Sequence, residues 1–230
     1  LTLLPHLWLA YISLAIFCCL YFFGQNPTLI LAPKYLDVTQ NPPLIKNLPI
    51  PTTNNSPSDP EDGYDGQSAN YSSNSMMDEQ GNLRFFTIDD IIYNHEGYMI
   101  ARLFGLSGDS PNGRSEMLIM KDPANCSRVY LFYVGRRYDN IFSNDRFYYS
   151  ILDFSLPSDV NSNLVGRLVA TDYIPNTFVP DDPFNRERGN GLFGTSTPNE
   201  FGEFKLFVST YDKLKIFQVN ASGINFLNEI

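Results

Sequence analysis

The fold is decided by residues 78–103, DEQGNLRFFTIDDIIYNHEGYMIARL, in which short apolar runs alternate with turns. The runs at 83–88, 91–93 and 98–103 are separated by turn signals rich in Asp, Asn and Gly. In the first run the residues alternate with a period of two, which is typical of a β-strand. Strands this short, joined by turns this close, predict an antiparallel meander in which each strand pairs with the next.

A related order of turns and strands returns at 199–224, NEFGEFKLFVSTYDKLKIFQVNASGI. A recurring meander of this kind is typical of propellers and other sheet arrays. Between the two copies, apolar runs predict further strands at 116–120, 128–134 and 147–156. The sequence therefore predicts an all-β chain of meander sheets that forms an incomplete β-propeller.

The chain divides into four segments of different composition. Residues 1–24 contain no Lys, Arg, Asp or Glu, and this predicts a hydrophobic helix that is a signal peptide or a membrane anchor. Residues 25–50 form an extended segment with room for one edge strand. Residues 51–75 are a polar linker rich in Pro, Ser, Asn and Asp, and residues 76–230 hold the propeller-like blades.

The charge balance bears on the class of partner. The chain has 25 acidic and 16 basic residues, for a net charge of −9. This argues against nucleic-acid binding, which depends on basic residues that neutralise phosphates. The partner classes that remain are an extracellular protein and a polysaccharide, with a membrane contacted only through residues 1–24 if they stay uncleaved.

Asp59, Asp62 and Asp65 follow one another at a spacing of three in the polar linker. Carboxylate oxygens are the ligands that Ca²⁺ prefers, so these residues are the candidate metal ligands of the chain. The spacing is not that of an EF-hand loop, and solvated acidic loops are common. Apart from this Ca²⁺ candidate, the sequence predicts no cofactor.

No arrangement typical of a catalytic site stands out in the sequence. His95 lies in a turn beside Glu96, without a partner nucleophile or further metal ligands in the pattern. The spacing G-x-G-x-x-G at 189–194 follows a polar loop and not a strand, so it predicts a loop. Asp181 and Asp182 are a carboxylate pair of the kind that glycosidases use, but the polar sequence around them predicts a loop. The sequence thus favours a non-catalytic role, and the alternative is an exported enzyme, such as a carbohydrate-active propeller, with catalytic residues beyond residue 230.

Three cysteines occur in the chain. Cys18 and Cys19 lie in the export segment, which leaves Cys126 alone in the exported part. A single exported cysteine is a free thiol, or it pairs with a residue or chain outside this part. We expect Cys126 to be a buried small apolar residue.

Three stretches carry a family resemblance: 77–100 (MDEQGNLRFFTIDDIIYNHEGYMI), 115–135 (SEMLIMKDPANCSRVYLFYVG) and 148–156 (YYSILDFSL). They resemble the N-terminal propeller region of large surface proteins from gliding and related Bacteroidetes, which are linked to type IX secretion and carry adhesive modules. The resemblance covers roughly residues 33–156. It implies a fragment of a secreted or cell-surface protein that functions in adhesion, ligand binding or scaffolding; a single-pass anchored ectodomain is the alternative.

We expect residues 1–24 to be removed on export, because the apolar run ends at Gly24 and polar Gln25 follows. N-terminal sequencing of the mature protein should then begin at about residue 25. An intact Leu1 in the membrane fraction would instead identify the segment as an anchor.

Overall fold

The computed structural model of the 230-residue chain describes residues 29–37, 41–51, 63–78, 80–103, 117–138, 143–175, 177, 193–210 and 213–230. Every regular element within these residues is a β-strand, which confirms the all-β prediction. The hydrophobic helix predicted at 1–24 lies outside them. Within the described ranges, no helix is long and apolar enough to cross a membrane.

Four antiparallel sheets follow one another along the chain, and in each sheet the strands pair in sequence order, as a meander does. Sheet 1 consists of β1 (Leu29–Leu31), β2 (Lys34–Asp37) and β3 (Leu44–Asn47). Sheet 2 consists of β4 (Ser73–Met77), β5 (Leu83–Ile88), β6 (Ile91–Asn94) and β7 (Met99–Arg102). Sheet 3 consists of β8 (Leu118–Asp122), β9 (Asn125–Tyr138), β10 (Ser143–Pro157) and β11 (Val165–Tyr173). Sheet 4 consists of β12 (Phe193–Thr195), β13 (Phe204–Ser209), β14 (Leu214–Asn220) and β15 (Gly223–Glu229).

Three turns of the same build join strands of these sheets, and they begin at Asp78, Asn94 and Asn199. In each turn the side-chain Oδ1 of the first residue accepts hydrogen bonds from the backbone N–H groups two and four residues on, at 2.8–3.0 Å. The glycine three residues on has a positive φ of 76–90°, which glycine adopts at little steric cost. The turn residues visible in the sequence therefore fix where these strands end.

The sheets stack face to face, with one apolar core in each of the three interfaces. Alternate residues of a strand point to opposite faces of its sheet, so sheets 2 and 3 bury both faces. The core between sheets 1 and 2 includes Ile30, Leu48, Tyr64, Phe86, Tyr93 and Met99. The core between sheets 2 and 3 includes Phe85, Ile92, Ile100, Val129, Leu131, Tyr133 and Tyr148. The core between sheets 3 and 4 includes Tyr130, Phe132, Val134, Phe147, Phe204, Leu206 and Phe217.

The first strands of successive sheets lie side by side, β1 against β4 and β4 against β8. Between sheets 2 and 3 the Asn74 side chain donates a hydrogen bond from Nδ2 to the carbonyl O of Met117, just before β8. At another contact β11 lies against β7, and Ser158 Oγ donates to the Ile100 carbonyl O at 2.5 Å. The result is an open stack, since the described strands close no barrel or ring.

The N-terminal part is more regular than the sequence predicts. Composition predicts one edge strand in residues 25–50, whereas the structure has the three strands of sheet 1. Strand β4 begins at Ser73, inside the predicted linker 51–75. Asn is depleted in strands, but pairing with β5 and burial of Met76 hold these residues extended. Strands β11 and β12 were also missed by the sequence patterns.

If the propeller is incomplete, the sequence places four phenylalanines, Phe204, Phe207, Phe217 and Phe226, near the unpaired edge of its last sheet. All four lie in sheet 4, the last described sheet, where Phe204 and Phe217 are buried against sheet 3. Phe207 is half-buried, and Phe226 is 37% exposed on β15. The face to which a strand residue points decides its burial, and position along the chain does not reveal that face.

Gly97, in the turn between β6 and β7, contacts the chain on both sides of residues 52–62. A Cβ at this position would overlap the Pro49 carbonyl O and lie 2.9 Å from Pro51 Cδ. The Gly97 carbonyl also accepts a hydrogen bond from the Tyr64 N–H at 2.8 Å. The chain therefore departs from this turn at Pro51 and returns to it at Tyr64, and residues 52–62 in between lie outside the described residues.

We expect Gly97→Ala to lower the free energy of unfolding by about 3 kcal/mol, because strain at positive φ adds to the overlap with Pro49. Gly223→Ala is the matched control, since Gly223 has φ 108° but no atom within 4 Å of the added Cβ. The control should lose only about 1 kcal/mol. Urea unfolding measures both, and equal losses would show that the contact with Pro49 does not matter.

Candidate binding surface

The two ends of the stack carry apolar faces that no described sheet covers. In sheet 1, Ile30 and Tyr35 point to sheet 2, so their neighbours along each strand point away from it. Leu31 is 70% exposed and Ile45 is 71% exposed on this outer face. Leu36 lies between them, since it pairs with Ile45 in the register of β2 and β3. We name this set the sheet 1 face.

The opposite end of the stack repeats the arrangement on sheet 4. Phe204 and Leu206 point to sheet 3, so Phe207 points away from it. Phe207 pairs across the strands with Ile216, and both are half-buried. Leu227 on β15 is 51% exposed. The alternation along β13 is the sequence signal for this face, but the sequence does not reveal which of its two faces meets another sheet.

The candidate Ca²⁺ ligands are not brought together by the described structure. Asp59 and Asp62 lie outside the described residues. Asp65 is exposed, and its Oδ1 accepts a hydrogen bond from the Gln67 N–H at 3.0 Å, which is the geometry of a turn. Among the described ranges no three His, Cys, Asp or Glu residues lie close enough to hold a metal ion.

The other residues singled out by sequence are equally dispersed. His95 and Glu96 are exposed in the turn that begins at Asn94, and the Glu96 N–H donates to Asn94 Oδ1 at 3.0 Å. Asp181 and Asp182 fall outside the part of the chain that the structure describes. The same holds for residues 189–192, whereas Gly194 lies in β12.

The densest polar cluster of the described structure surrounds Asp153, which sequence analysis placed only within a strand. Its carboxylate accepts hydrogen bonds from Arg128 Nε at 2.8 Å and Ser127 Oγ at 2.9 Å, both on β9. It also accepts from the N–H and Oγ of Ser155 on β10, at 2.8 and 2.6 Å. Ser155 is two residues from Asp153, whereas Ser127 and Arg128 are 26 and 25 residues away, so the register that pairs Asp153 with Arg128 brings the β9 groups to the carboxylate.

The pKa values of Asp153 and Asp122 are shifted in opposite directions. Burial acts to raise the pKa of Asp153, but hydrogen bonds from Ser155, Arg128 and their neighbours outweigh it and hold the pKa well below its usual range. Burial raises the pKa of Asp122 at the end of β8, and the hydrogen bond from the Ala124 N–H offsets only part of this effect. Asp153 is therefore the stably ionised centre of the cluster, and its described contacts tie β9 to β10.

Cys126 lies in the same region, near the start of β9, where it is half-buried and disulfide-bonded. The expectation of a buried small apolar residue is therefore wrong. Its partner lies outside the described residues. The neighbouring Ser127 Oγ donates a hydrogen bond to Asn125 Oδ1 at 2.9 Å. This end of sheet 3 is therefore held by a disulfide and by hydrogen bonds.

Comparisons of the chain with protein-family models, with curated proteins and with solved structures found no match. The resemblance to Bacteroidetes surface proteins therefore stays a prediction.

We expect Asp153→Asn to lower the free energy of unfolding at neutral pH by about 2 kcal/mol, because charged hydrogen bonds are lost. Asp122→Asn is the matched control and should raise it slightly, since the amide oxygen still accepts from Ala124 and no charge is buried. Denaturant unfolding at several pH values measures both.

The pH dependence follows from the directions of the two shifts. Because the folded pKa of Asp153 is depressed, its contribution is present above its ordinary value of about 3.9 and is lost as the pH falls through the folded value. Asp122 has a raised pKa, so its contribution is present below the ordinary value and is lost as the pH rises through the folded value. If Asp153→Asn loses stability on acidification as steeply as the parent chain, Asp153 is not the ionised centre.

Proposed function

We propose that the chain is an extracytoplasmic domain without catalytic chemistry of its own, which binds or scaffolds other proteins through the apolar ends of its sheet stack. The observation that carries this proposal is the exposure of Leu31, Ile45 and Leu227 on the two end faces. Large exposed apolar patches on soluble proteins mark interaction sites, whereas single exposed apolar residues are ordinary. Both end faces combine such residues with half-buried apolar neighbours.

The architecture supports the finer proposal that the sheets are consecutive units of a propeller-like array. Three sheets in succession are four-stranded meanders, and the first strands of neighbouring sheets lie side by side. Each interface in the stack buries one face of each sheet, as in arrays where every unit contacts only its neighbours. In such an array a further β-sheet covers each open end face.

The disulfide at Cys126 supports the extracytoplasmic compartment. Disulfides persist in oxidising environments and are rare in the cytosol, where thiols are kept reduced. The net charge of −9 is compatible with a protein or polysaccharide partner and argues against nucleic acid. Cys18 and Cys19 are the other cysteines of the sequence, so a disulfide within the chain requires that residues 1–24 stay attached, which favours the anchored alternative over their removal on export.

The purified chain should self-associate or remain loosely packed, because its end faces expose apolar side chains to water. The double variant Leu31→Lys/Ile45→Lys should raise the concentration at which the chain stays soluble, since the charges cover the sheet 1 face. Val165→Lys/Val169→Lys is the matched control, because these residues are exposed on β11 away from both end faces. Light scattering across a concentration series measures the difference.

Two results would contradict the proposal. A monodisperse parent chain with a sharp cooperative melt, unaffected by the lysines at Leu31 and Ile45, would indicate a self-contained β domain in place of an open array. Turnover in a broad screen of glycosides and esters, abolished by a single substitution such as His95→Ala, would indicate an exported enzyme.

A further inference from the structure

We propose that Arg84, which lies between sheets 2 and 3, binds the carboxylate of an acidic polysaccharide. The central carbon of its guanidinium group is 4.1 Å from the centre of the Phe154 ring on sheet 3, which is a cation–π contact. The Phe154 ring in turn packs against Phe85, with 5.3 Å between the ring centres. Arg84 and Phe154 are both half-buried. The guanidinium group is therefore held in place by aromatic packing before any ligand binds.

A β-bulge brings Arg84 to this position. In the register of β4 and β5, Met76 lies opposite Phe85. The next pair is Met77 with Leu83, so Arg84 is an extra residue without a partner on β4. Such a residue interrupts the regular alternation of side chains, and Arg84 shares with Phe85 the face of sheet 2 that meets Phe154. Bulges re-aim side chains in this way beside functional sites.

Arg84 lacks the carboxylate partner that other arginines of the described structure have. Arg102, Arg128 and Arg167 each lie 2.8–4.0 Å from an aspartate oxygen. Within the described residues the Arg84 side chain makes no ion pair and no hydrogen bond. Its nitrogen atoms are not sealed from solvent, so a ligand can reach them. The donors of this half-buried cation are thus available to a group from outside the chain.

The electrostatic surroundings of Arg84 leave its charge without a close counter-ion. Burial lowers the pKa of Arg84, and the charge of Asp78 offsets only part of this effect. The Asp78 carboxylate already accepts hydrogen bonds from the Gln80 and Asn82 N–H groups and from the Asn82 side chain. A guanidinium stays charged in proteins, and a partly desolvated charge is costly unless it is paired. A ligand carboxylate would supply that pairing.

A carboxylate is the group that this site fits best. Phe154 covers one face of the guanidinium, which leaves the N–H groups in its plane to donate two parallel hydrogen bonds, as a carboxylate accepts them. The chain has a net charge of −9. Charges more than about 8–10 Å apart are largely screened at physiological ionic strength, so the groups next to Arg84 decide whether an anion binds.

The fold favours a polysaccharide over a peptide as the carrier of the carboxylate. Peptides commonly bind sheets by adding a strand to an open edge. Arg84 and Phe154 lie on the inner strands β5 and β10, so no open edge of the described sheets lies beside them. A uronic acid residue presents a carboxylate on a sugar ring and needs no strand edge. The inference takes from the proposed function only the extracytoplasmic location and does not depend on the apolar end faces.

Calorimetric titration of the full chain with tetragalacturonate tests the proposal, with the fully methyl-esterified tetramer as the uncharged comparison. The acid should bind, and the ester should bind about tenfold more weakly or less, because it cannot form charged hydrogen bonds. Arg84→Gln should weaken binding of the acid about tenfold, since the charge and the paired donors are lost. Arg84→Lys keeps the charge but loses the planar fork, and it should weaken binding about threefold.

Arg167→Gln is the matched control. Arg167 Nε lies 2.8 Å from Asp159 Oδ1, so this arginine already has a carboxylate partner, and its loss should leave the affinity at the parent value. Phe154→Leu removes the ring but no charge and should weaken binding about threefold. Circular dichroism and thermal melting check that each variant is folded. If Arg84→Gln does not fold, Arg84→Lys and Phe154→Leu decide the test.

Other outcomes overturn the proposal. A parent chain that does not bind the acid, or that binds acid and ester equally, would show that Arg84 is not a carboxylate site. An equal loss of affinity in Arg167→Gln would indicate general attraction to basic side chains. Tighter binding of tetraglutamate than of tetragalacturonate would assign the site to an acidic peptide. The end faces are tested separately by light scattering, so these failures would leave the proposed function standing.

Discussion

Burial of both faces of β9 is the constraint on which the rest of the structure depends. Val129, Leu131 and Tyr133 point to sheet 2, and the residues between them, such as Phe132, point to sheet 4. Burial of one large apolar side chain contributes roughly 1.5–3 kcal/mol to the free energy of folding. Separating sheet 2 or sheet 4 from sheet 3 would expose several such side chains and would therefore destabilise the fold strongly. Sheet 3 is therefore stable only with a sheet packed on each of its faces. Sheets 2 and 4 also have a second face with apolar residues, and the same requirement applies to them.

Polar groups in this stack are placed where strands must stay in register. A chain of hydroxyls crosses sheet 3 from Tyr133 through Ser150 to Thr171, with distances of 3.0 and 2.8 Å between oxygens. Burial raises the pKa of Tyr133 to about 12, so its hydroxyl stays protonated and able to donate. The cluster around Asp153 does the same at another position on β10. Because buried polar groups are costly when unpaired, a slipped register would lose these partners together with the apolar contacts.

The same constraint that builds the stack also explains why apolar surfaces stay exposed at its two ends. A sheet with two apolar faces is stable only when both are covered, and sheets 1 and 4 have only one described neighbour each. At the outer edge of sheet 4, the backbone N–H and C=O groups on the far side of β15 are paired by no other described strand. Function of the kind proposed here needs no cluster of reactive side chains, since apolar faces and strand edges recognise other β-structures through shape and backbone hydrogen bonds.

Much of the local structure could be predicted from single segments of sequence. The turns at Asp78, Asn94 and Asn199 follow from residue types that satisfy backbone N–H groups locally and from glycines that accept positive φ. The strands of sheets 2 and 4 follow from their apolar periodicity between these turns. Strand β4 was not predicted because its own polar residues give no strand pattern. These residues are extended because they pair with β5, and the sequence of residues 73–77 alone does not reveal that pairing.

The sequence by itself therefore determined the all-β class, the meander order and the positions of most turns, since these depend on neighbours a few residues apart. Only the tertiary structure decided which face of each strand meets which sheet. It also decided that Asp153 meets Arg128, that Phe204 is buried while Phe226 is exposed, and that β15 is left as an edge. These features depend on pairing between distant segments, and an alternating strand is equally compatible with either face until its neighbours are in place.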